Sequence, residues 1–339
     1  LFALIICLLT ACSQLPQKNE PDVSAQLHQL IERYQRFYLI SNPFHDLKNA
    51  QRHDQLPDMS PKALAHNYRE ASAIYEQLVA IDTSKLTLSE QINWSVLSYK
   101  LKNQLDSYLY KAHFMPLTAE SGFHVSISWS VKNIPFNSEQ NYRDYLARLM
   151  KIPRYFDQQI YWMEQGIADG ITQPAIVLTG FEQSISAFIK EDVSQSSYFE
   201  PFEHMPDHIP LEVQQQLQAQ AKQVIGDFVL PSYKKYYRFM TERYQPNARQ
   251  SIAASTLPNG KNFYQNRVSH YTTLPLTADE IHQIGLTEVG RIRAAMEKII
   301  DKLGHQGDFA SFIEFLRTAD RFYANTPEQL LKEASYIAK

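Results

Sequence analysis

Residues 88–113 read LSEQINWSVLSYKLKNQLDSYLYKAH. Ile92, Val96, Tyr99, Leu101, Leu105, Tyr108 and Leu109 recur mostly three or four apart and are read as lining one broad face of a helix. Neither Pro nor Gly interrupts the run. The stretch is therefore expected to form a long helix with one broad buried face, capped by Ser89.

The same period extends in both directions. Upstream, Val23, Leu27, Leu30, Ile31, Tyr34, Phe37 and Tyr38 mark a helix within 22–40. Ser60 and Pro61 then open another, with Leu64, Tyr68, Ala71, Ile74, Tyr75 and Leu78 on one face. The stretch between them, 42–61, is broken by Pro43 and Pro57 and reads as a surface loop. Downstream, helical spacing runs from Ser138 to Gly166 with a bend at Pro153, and again over 175–190. A long helix over 211–244 should be kinked or split by Pro231. Thr277 and Glu280 form a capping box for a helix ending near Leu303, and two more follow over 309–317 and from Thr326 onward. Only 10 glycines in 339 residues fits this helical bias, because sheet-rich folds use Gly freely in turns and bulges. The fold class expected is mainly α, a large helical body of about 9–11 helices.

One segment breaks the pattern. Phe123, Val125, Ile127, Trp129 and Val131 alternate with His124, Ser126, Ser128 and Ser130, a period of two that predicts a minor β element near 121–131. No partner of equal clarity lies elsewhere in the sequence. An edge strand of this kind could pair with an extended peptide.

Bulk properties narrow the classes of function. A net charge of -3 without a basic stripe argues against nucleic acid as a partner. Cys7 and Cys12, the only cysteines, both precede the helical region, so neither disulfides nor cysteine metal sites are expected within it. Residues 1–9 form an apolar run too short to span a bilayer, and it leads into Leu9-Thr10-Ala11-Cys12. That order resembles the bacterial lipoprotein box, in which the cysteine is lipidated and becomes the mature N-terminus. The expected organisation is a signal peptide over 1–12 whose start is incomplete, a tether over 13–21, and one helical domain over 22–339. Cys12 is the expected lipidation site and membrane anchor.

Catalytic motifs are scarce. Two His four apart on a helix with an adjacent Glu would turn both rings toward one zinc ion. The nearest imitation, His204 and His208, is interrupted by Pro206 and lacks the Glu, and His270 and His282 straddle a loop and a helix start. Both pairs read as ordinary loop or capping histidines. Ser232 and Lys235 fit S-x-x-K without its companion motifs, and no phosphate-binding glycine loop occurs. What remains is the stretch after Leu257: a Pro258-Asn259-Gly260 turn, then Phe263 and Tyr264, then a polar run read as extended. Asn259 and Gly260 could present backbone to a substrate and Tyr264 a hydroxyl, while Arg249 could pair a substrate carboxylate or an internal acid. These four are the candidate substrate-binding residues. No catalytic residue and no metal ligand is expected in this chain.

Several segments, in order, resemble a bacterial envelope family known only as domain of unknown function eight hundred and eighty-five. They include Tyr142-Arg143-Asp144-Tyr145-Leu146-Ala147-Arg148-Leu149, Gly166-Ile167-Ala168-Asp169-Gly170, Tyr244-Gln245-Pro246-Asn247-Ala248-Arg249, Leu257-Pro258-Asn259-Gly260 and Leu276-Thr277-Ala278-Asp279-Glu280-Ile281. The resemblance implies a helical fold similar to zinc carboxypeptidases and oligopeptidases, with a cleft between helical halves and a His-Glu metal motif beyond the segment matched by Lys339. On that basis the chain is expected to be the N-terminal, cleft-wall part of a lipid-anchored zinc-dependent peptidase of the bacterial envelope, facing the periplasm. By itself it should be inactive and bind no cofactor, zinc and a peptide substrate belonging to the intact protein. The alternative is a non-catalytic helical lipoprotein that binds peptides or serves as a scaffold.

Overall fold

A computed structural model describes residues 22–50, 52–119 and 121–339. The expected signal peptide, the tether and Cys12 lie outside the described residues. The chain divides into two compact units, Leu1–Tyr264 and Gln265–Lys339, although no change of composition marks a linker between them.

The first unit begins with three helices, α1 (Val23–Ser41), α2 (Pro61–Val79) and α3 (Leu88–Leu109). Each has a side-chain cap. Asp22 accepts from the Ser24 and Ala25 amides, Ser60 accepts from Ala63 ahead of Pro61, and Thr87 with Glu90 forms a capping box. The cap of α3 is therefore Thr87, not Ser89, because only Thr87 stands three residues before an acidic partner. Leu27, Leu30, Ala71, Ile74, Leu78, Leu97, Leu101 and Leu105 close a small core among the three helices. The broad face expected of α3 is in fact two faces. Leu97, Leu101 and Leu105 point inward, whereas Ile92, Val96, Tyr99 and Leu109 are exposed.

A second, larger core follows. Helix α4 (Phe123–Val131) occupies the segment read as a strand. The alternation misleads because Phe123, Ile127 and Val131 satisfy a helical face as well as a period of two, and all three are buried. The intervening serines fit the helix by donating back to its own carbonyls, Ser126 to Gly122 and Ser130 to Ile127. Among the described residues only isolated bridges occur, so there is no edge strand for a peptide to join. Ser138 caps α5 (Glu139–Leu149), and α6 (Ile152–Asp169) restarts with Pro153 in its first turn, so the expected bend is a break between two helices. The α6 helix ends at Gly170 in the left-handed region, with φ 71°. Residues 175–190 are not one helix. A 3-10 turn at Ala175–Leu178 and the short α7 (Phe181–Ser186) are separated by Gly180, whose φ is 76°.

Helix α8 (Leu211–Val224) and α9 (Leu230–Phe239) form one run despite Pro231. A π-helical turn over Ile225–Val229 widens the helix just before the proline, and a second, Met240–Tyr244, precedes Pro246. Wider turns absorb the missing amide and the ring, so the helix is not split. The boundary between units falls inside α10 (Gly260–Thr272).

In the second unit, Thr277 and Glu280 make the expected capping box on α11 (Ala278–Lys302). Gly304 follows with φ 69°, then α12 (Phe309–Thr318), capped by Asp308, and α13 (Pro327–Ile337), capped by Thr326. Arg293 stacks 3.8 Å above the Phe309 ring, and His305 contacts Phe312 and Phe315. Ile300 and Phe312 are the buried apolar residues here.

Candidate functional site

The segment singled out by sequence is a built junction. Asn259 has φ 55°, and its side chain accepts from Asn262 at 2.7 Å, so the Asn-Gly pair starts α10 instead of a hairpin loop. Residues 260–272, expected to include an extended run, are helical. A Cβ on Gly260 would stand 2.1 Å from the Ala254 carbonyl oxygen, which explains the glycine by close backbone approach. Tyr264 lies on the first turns of α10 and is 48% exposed.

Arg249 faces inward to its own loop. Its Nε donates to Thr172 O at 2.9 Å, and Nη1 donates to Ser251 O at 2.6 Å and Ala253 O at 2.8 Å. Its amide donates to Thr172 Oγ1, and its carbonyl accepts from the Ala175 amide at 2.8 Å. Partial burial lowers the guanidinium pKa, opposed by Tyr244 nearby. The internal acid considered from sequence is not its partner: three backbone carbonyls take Nε and Nη1. Arg249 and Gly260 thus converge on the turn around Ala253–Ser255, while Asn259 and Tyr264 stand on the helix that leaves it.

The histidine pairs do not assemble a metal site. His208 Nε2 lies 2.8 Å from Asn137 O, and His204 is exposed. Among the described residues no three His, Cys, Asp or Glu side chains are grouped as a metal would require. Ser232 donates to Phe228 O within its own helix, a back-bond that accounts for its hydroxyl.

A buried polar layer escaped the sequence reading. Tyr233 on α9 donates to His124 O at 2.6 Å, which leaves its oxygen to accept from Tyr198 at 2.7 Å, and Tyr145 on α5 donates to Tyr198 O at 3.2 Å. Burial raises the pKa of all three phenols, so they act as neutral donors. His124 is fully buried and its pKa falls to about 4 through desolvation. Ser184 Oγ donates to Phe181 O, so its lone pair can accept from His124 Nε2 at 3.0 Å. Nearby, the buried Arg148 donates Nη1 to His53 O at 3.3 Å and lies 5.1 Å from the Phe44 ring. Its pKa is pulled down to about 10 by desolvation, partly offset by Tyr145, Tyr198 and Asp54. Asp54 is held by Arg52 at 2.8 Å and Lys151 at 3.2 Å. Such a layer fixes how α4, α5 and α9 meet; its depth keeps it from reaching a peptide in solution. Tyr145 and Tyr233 could have been found from helical spacing beside Tyr142 and Tyr236, but Tyr198 sits in irregular structure with no periodic signal.

The bacterial family described as "Bacterial protein of unknown function (DUF885)" matches residues 45–339. Among curated proteins, none matches the chain. Among solved structures, the chain resembles one titled "The crystal structure of the putative lipoprotein from Colwellia psychrerythraea", with a TM-score of 0.79 and 20% identity. The likeness covers 93% of this chain and 58% of that one, so the chain spans a little over half the length of its structural relative.

Proposed function

The chain belongs to the DUF885 family of bacterial proteins of unknown function, and from that membership we propose that it forms the N-terminal, cleft-wall part of a lipid-anchored zinc-dependent peptidase of the bacterial envelope. The observation that carries the reading is α11. Ile281, Val289, Ile292, Met296, Ile299 and Leu303 recur along one side of the helix, yet Val289, Ile292, Met296, Ile299 and Leu303 are exposed. A helix with so long an apolar stripe is stabilised mainly by what packs on it. The family resemblance supplies the candidate cover, a second helical half that carries the metal motif. The Leu9-Thr10-Ala11-Cys12 order and the description of the structural relative as a lipoprotein support the anchor. No helix among the described residues is long and apolar enough to cross a membrane.

Among the described residues no three His, Cys, Asp or Glu side chains are grouped for a zinc ion, and His208 is engaged by a backbone carbonyl. Zinc in the intact protein would supply an activated water for hydrolysis. This chain would supply the wall, with Tyr264 presented from a helix that Arg249 and Gly260 fix in place. The test compares this chain with a product extended through the next helical segment of the reading frame. The extended product should hold one equivalent of zinc and cleave peptides, and this chain should do neither. Stoichiometric zinc on this chain, or a zinc-free extended product, would overturn the reading.

A further inference from the structure

Helix α3 carries a second apolar stripe that the three-helix core does not use. Leu88, Ile92, Val96 and Tyr99 follow at i, i+4, i+8 and i+11, so they share one side of the helix. Leu88 is 74% exposed, Ile92 55% and Val96 51%. Lys100 and Lys102 flank the stripe on opposite sides, Lys102 also pairing with Asp106 one turn on. The beginning of the folded chain meets the first turn of α3: Ser24, two residues into α1, donates its hydroxyl to Glu90, on the side of α3 away from the stripe. Only nine residues, 13–21, separate Cys12 from Asp22.

We infer that the outer face of α3 is a lipid-contact surface, on which Leu88, Ile92, Val96 and Tyr99 rest in the interface of an anionic bilayer with Lys100 and Lys102 at its rim. The inference rests on the proposed anchor at Cys12. A nine-residue span reaches at most about 30 Å, so an acyl chain on Cys12 would hold the head of α3 within that distance of the headgroups. Four apolar side chains bind a bilayer weakly by themselves. Tethering makes the contact intramolecular and raises its effective concentration, so a weak patch suffices. Apolar residues in the interface with lysine stems reaching outward is the arrangement expected of a helix lying on a membrane and not through it.

The test uses the mature acylated protein in vesicles of phosphatidylethanolamine and phosphatidylglycerol. An environment-sensitive fluorophore is placed at Val96→Cys or, on the exposed part of α6, at Tyr161→Cys, each with unchanged circular dichroism. Nitroxide-bearing lipids should quench the label at 96 several-fold more strongly than the label at 161. Equal quenching overturns the inference. So does a label at 96 already shielded from iodide before vesicles are added, since another part of the protein would then cover the face. The mass of the mature N-terminus tests the anchor by itself. If Cys12 carries no acyl group, the anchor reading fails, and the face is still tested on a Cys7→Ser, Cys12→Ser chain held to the same vesicles by an N-terminal histidine tag and a nickel-chelating lipid. Preferential quenching at 96 there supports lipid contact, and its absence removes it.

Discussion

Helix α6, of 18 residues, buries Ile152, Tyr155, Phe156, Gln159 and Met163, whereas α11, of 25 residues, buries Ile300 alone. Both have apolar residues at helical spacing, and α11 has the better N-cap, a reciprocal Thr277–Glu280 box. Local signals therefore decide that each is a helix and do not decide how deeply it is buried. In α6 the apolar side meets α9 and α4 through ring contacts such as Phe156 with Tyr233 at 4.9 Å and with Phe123 at 5.1 Å. The equivalent side of α11 stays exposed. Substitutions that are costly in the first helix should thus be tolerated in the second.

The largest expected effect is at the packed end of this contrast. Phe156→Ala removes a fully buried ring from an aromatic cluster with Phe123, Tyr233 and Tyr236, and should cost about 3–5 kcal/mol. Urea unfolding measures it. A loss no greater than for a surface substitution would mean that the aromatic interior is loosely packed and the contrast is wrong.

Acid probes the same interior. The His124 pKa lies at about 4 in the fold, below its value of about 6.5 in the unfolded chain. Between those values the unfolded chain binds the extra proton. The stabilisation is therefore complete above the unfolded pKa and is lost as pH falls through the window, by about 2 kcal/mol near pH 5. His113, also lowered to about 4 by burial and then by Lys111, adds in the same direction. His124→Asn should flatten the dependence of stability on pH over that window. A slope as steep in the variant as in the parent would remove His124 as its source.

Tyr233→Phe is expected to be milder. It keeps the ring and deletes the hydroxyl that bridges Tyr198 to the His124 carbonyl, leaving both buried groups short of a partner at a cost of about 1–3 kcal/mol. Restoration of full stability in a Tyr198→Phe, Tyr233→Phe double variant would show that the carbonyl finds another donor and that the bridge matters little.

Much of this was legible along the chain, and the failures have physical causes. The Ser60–Pro61 and Thr277–Glu280 starts were readable because a cap involves residues within one turn. The segment 123–131 was misread because its alternation and a helical face coincide at every fourth residue, and only the tertiary burial of Phe123, Ile127 and Val131 separates the two. Asn259-Gly260 was read as a loop because the pair signals a left-handed turn; the turn exists at Asn259, but it starts a helix. The partners of the tyrosine layer could not be read, since Tyr198 is 35 positions from Tyr233 and 53 from Tyr145, and His124 is 109 from Tyr233; Arg249 likewise reaches Thr172, 77 positions back. The two faces of α3 stayed merged for the same reason: periodicity gathers apolar residues on a helix without saying which of them meet a neighbour.

The smallest expected effect tests the exposed end of the contrast. Val289 and Ile292 on α11 are 68% and 47% exposed, so Val289→Ser with Ile292→Ser should change the stability of this chain by no more than about 0.5 kcal/mol. If a second helical half covers that stripe in the intact protein, the same pair becomes a core substitution there and should cost several-fold more, because each polar hydroxyl would enter an apolar seam without a partner. Urea unfolding of the two lengths side by side reads both numbers. Equal small losses in the two lengths would leave α11 bare in both and remove the seam from the proposed architecture, whatever the zinc content of the longer protein.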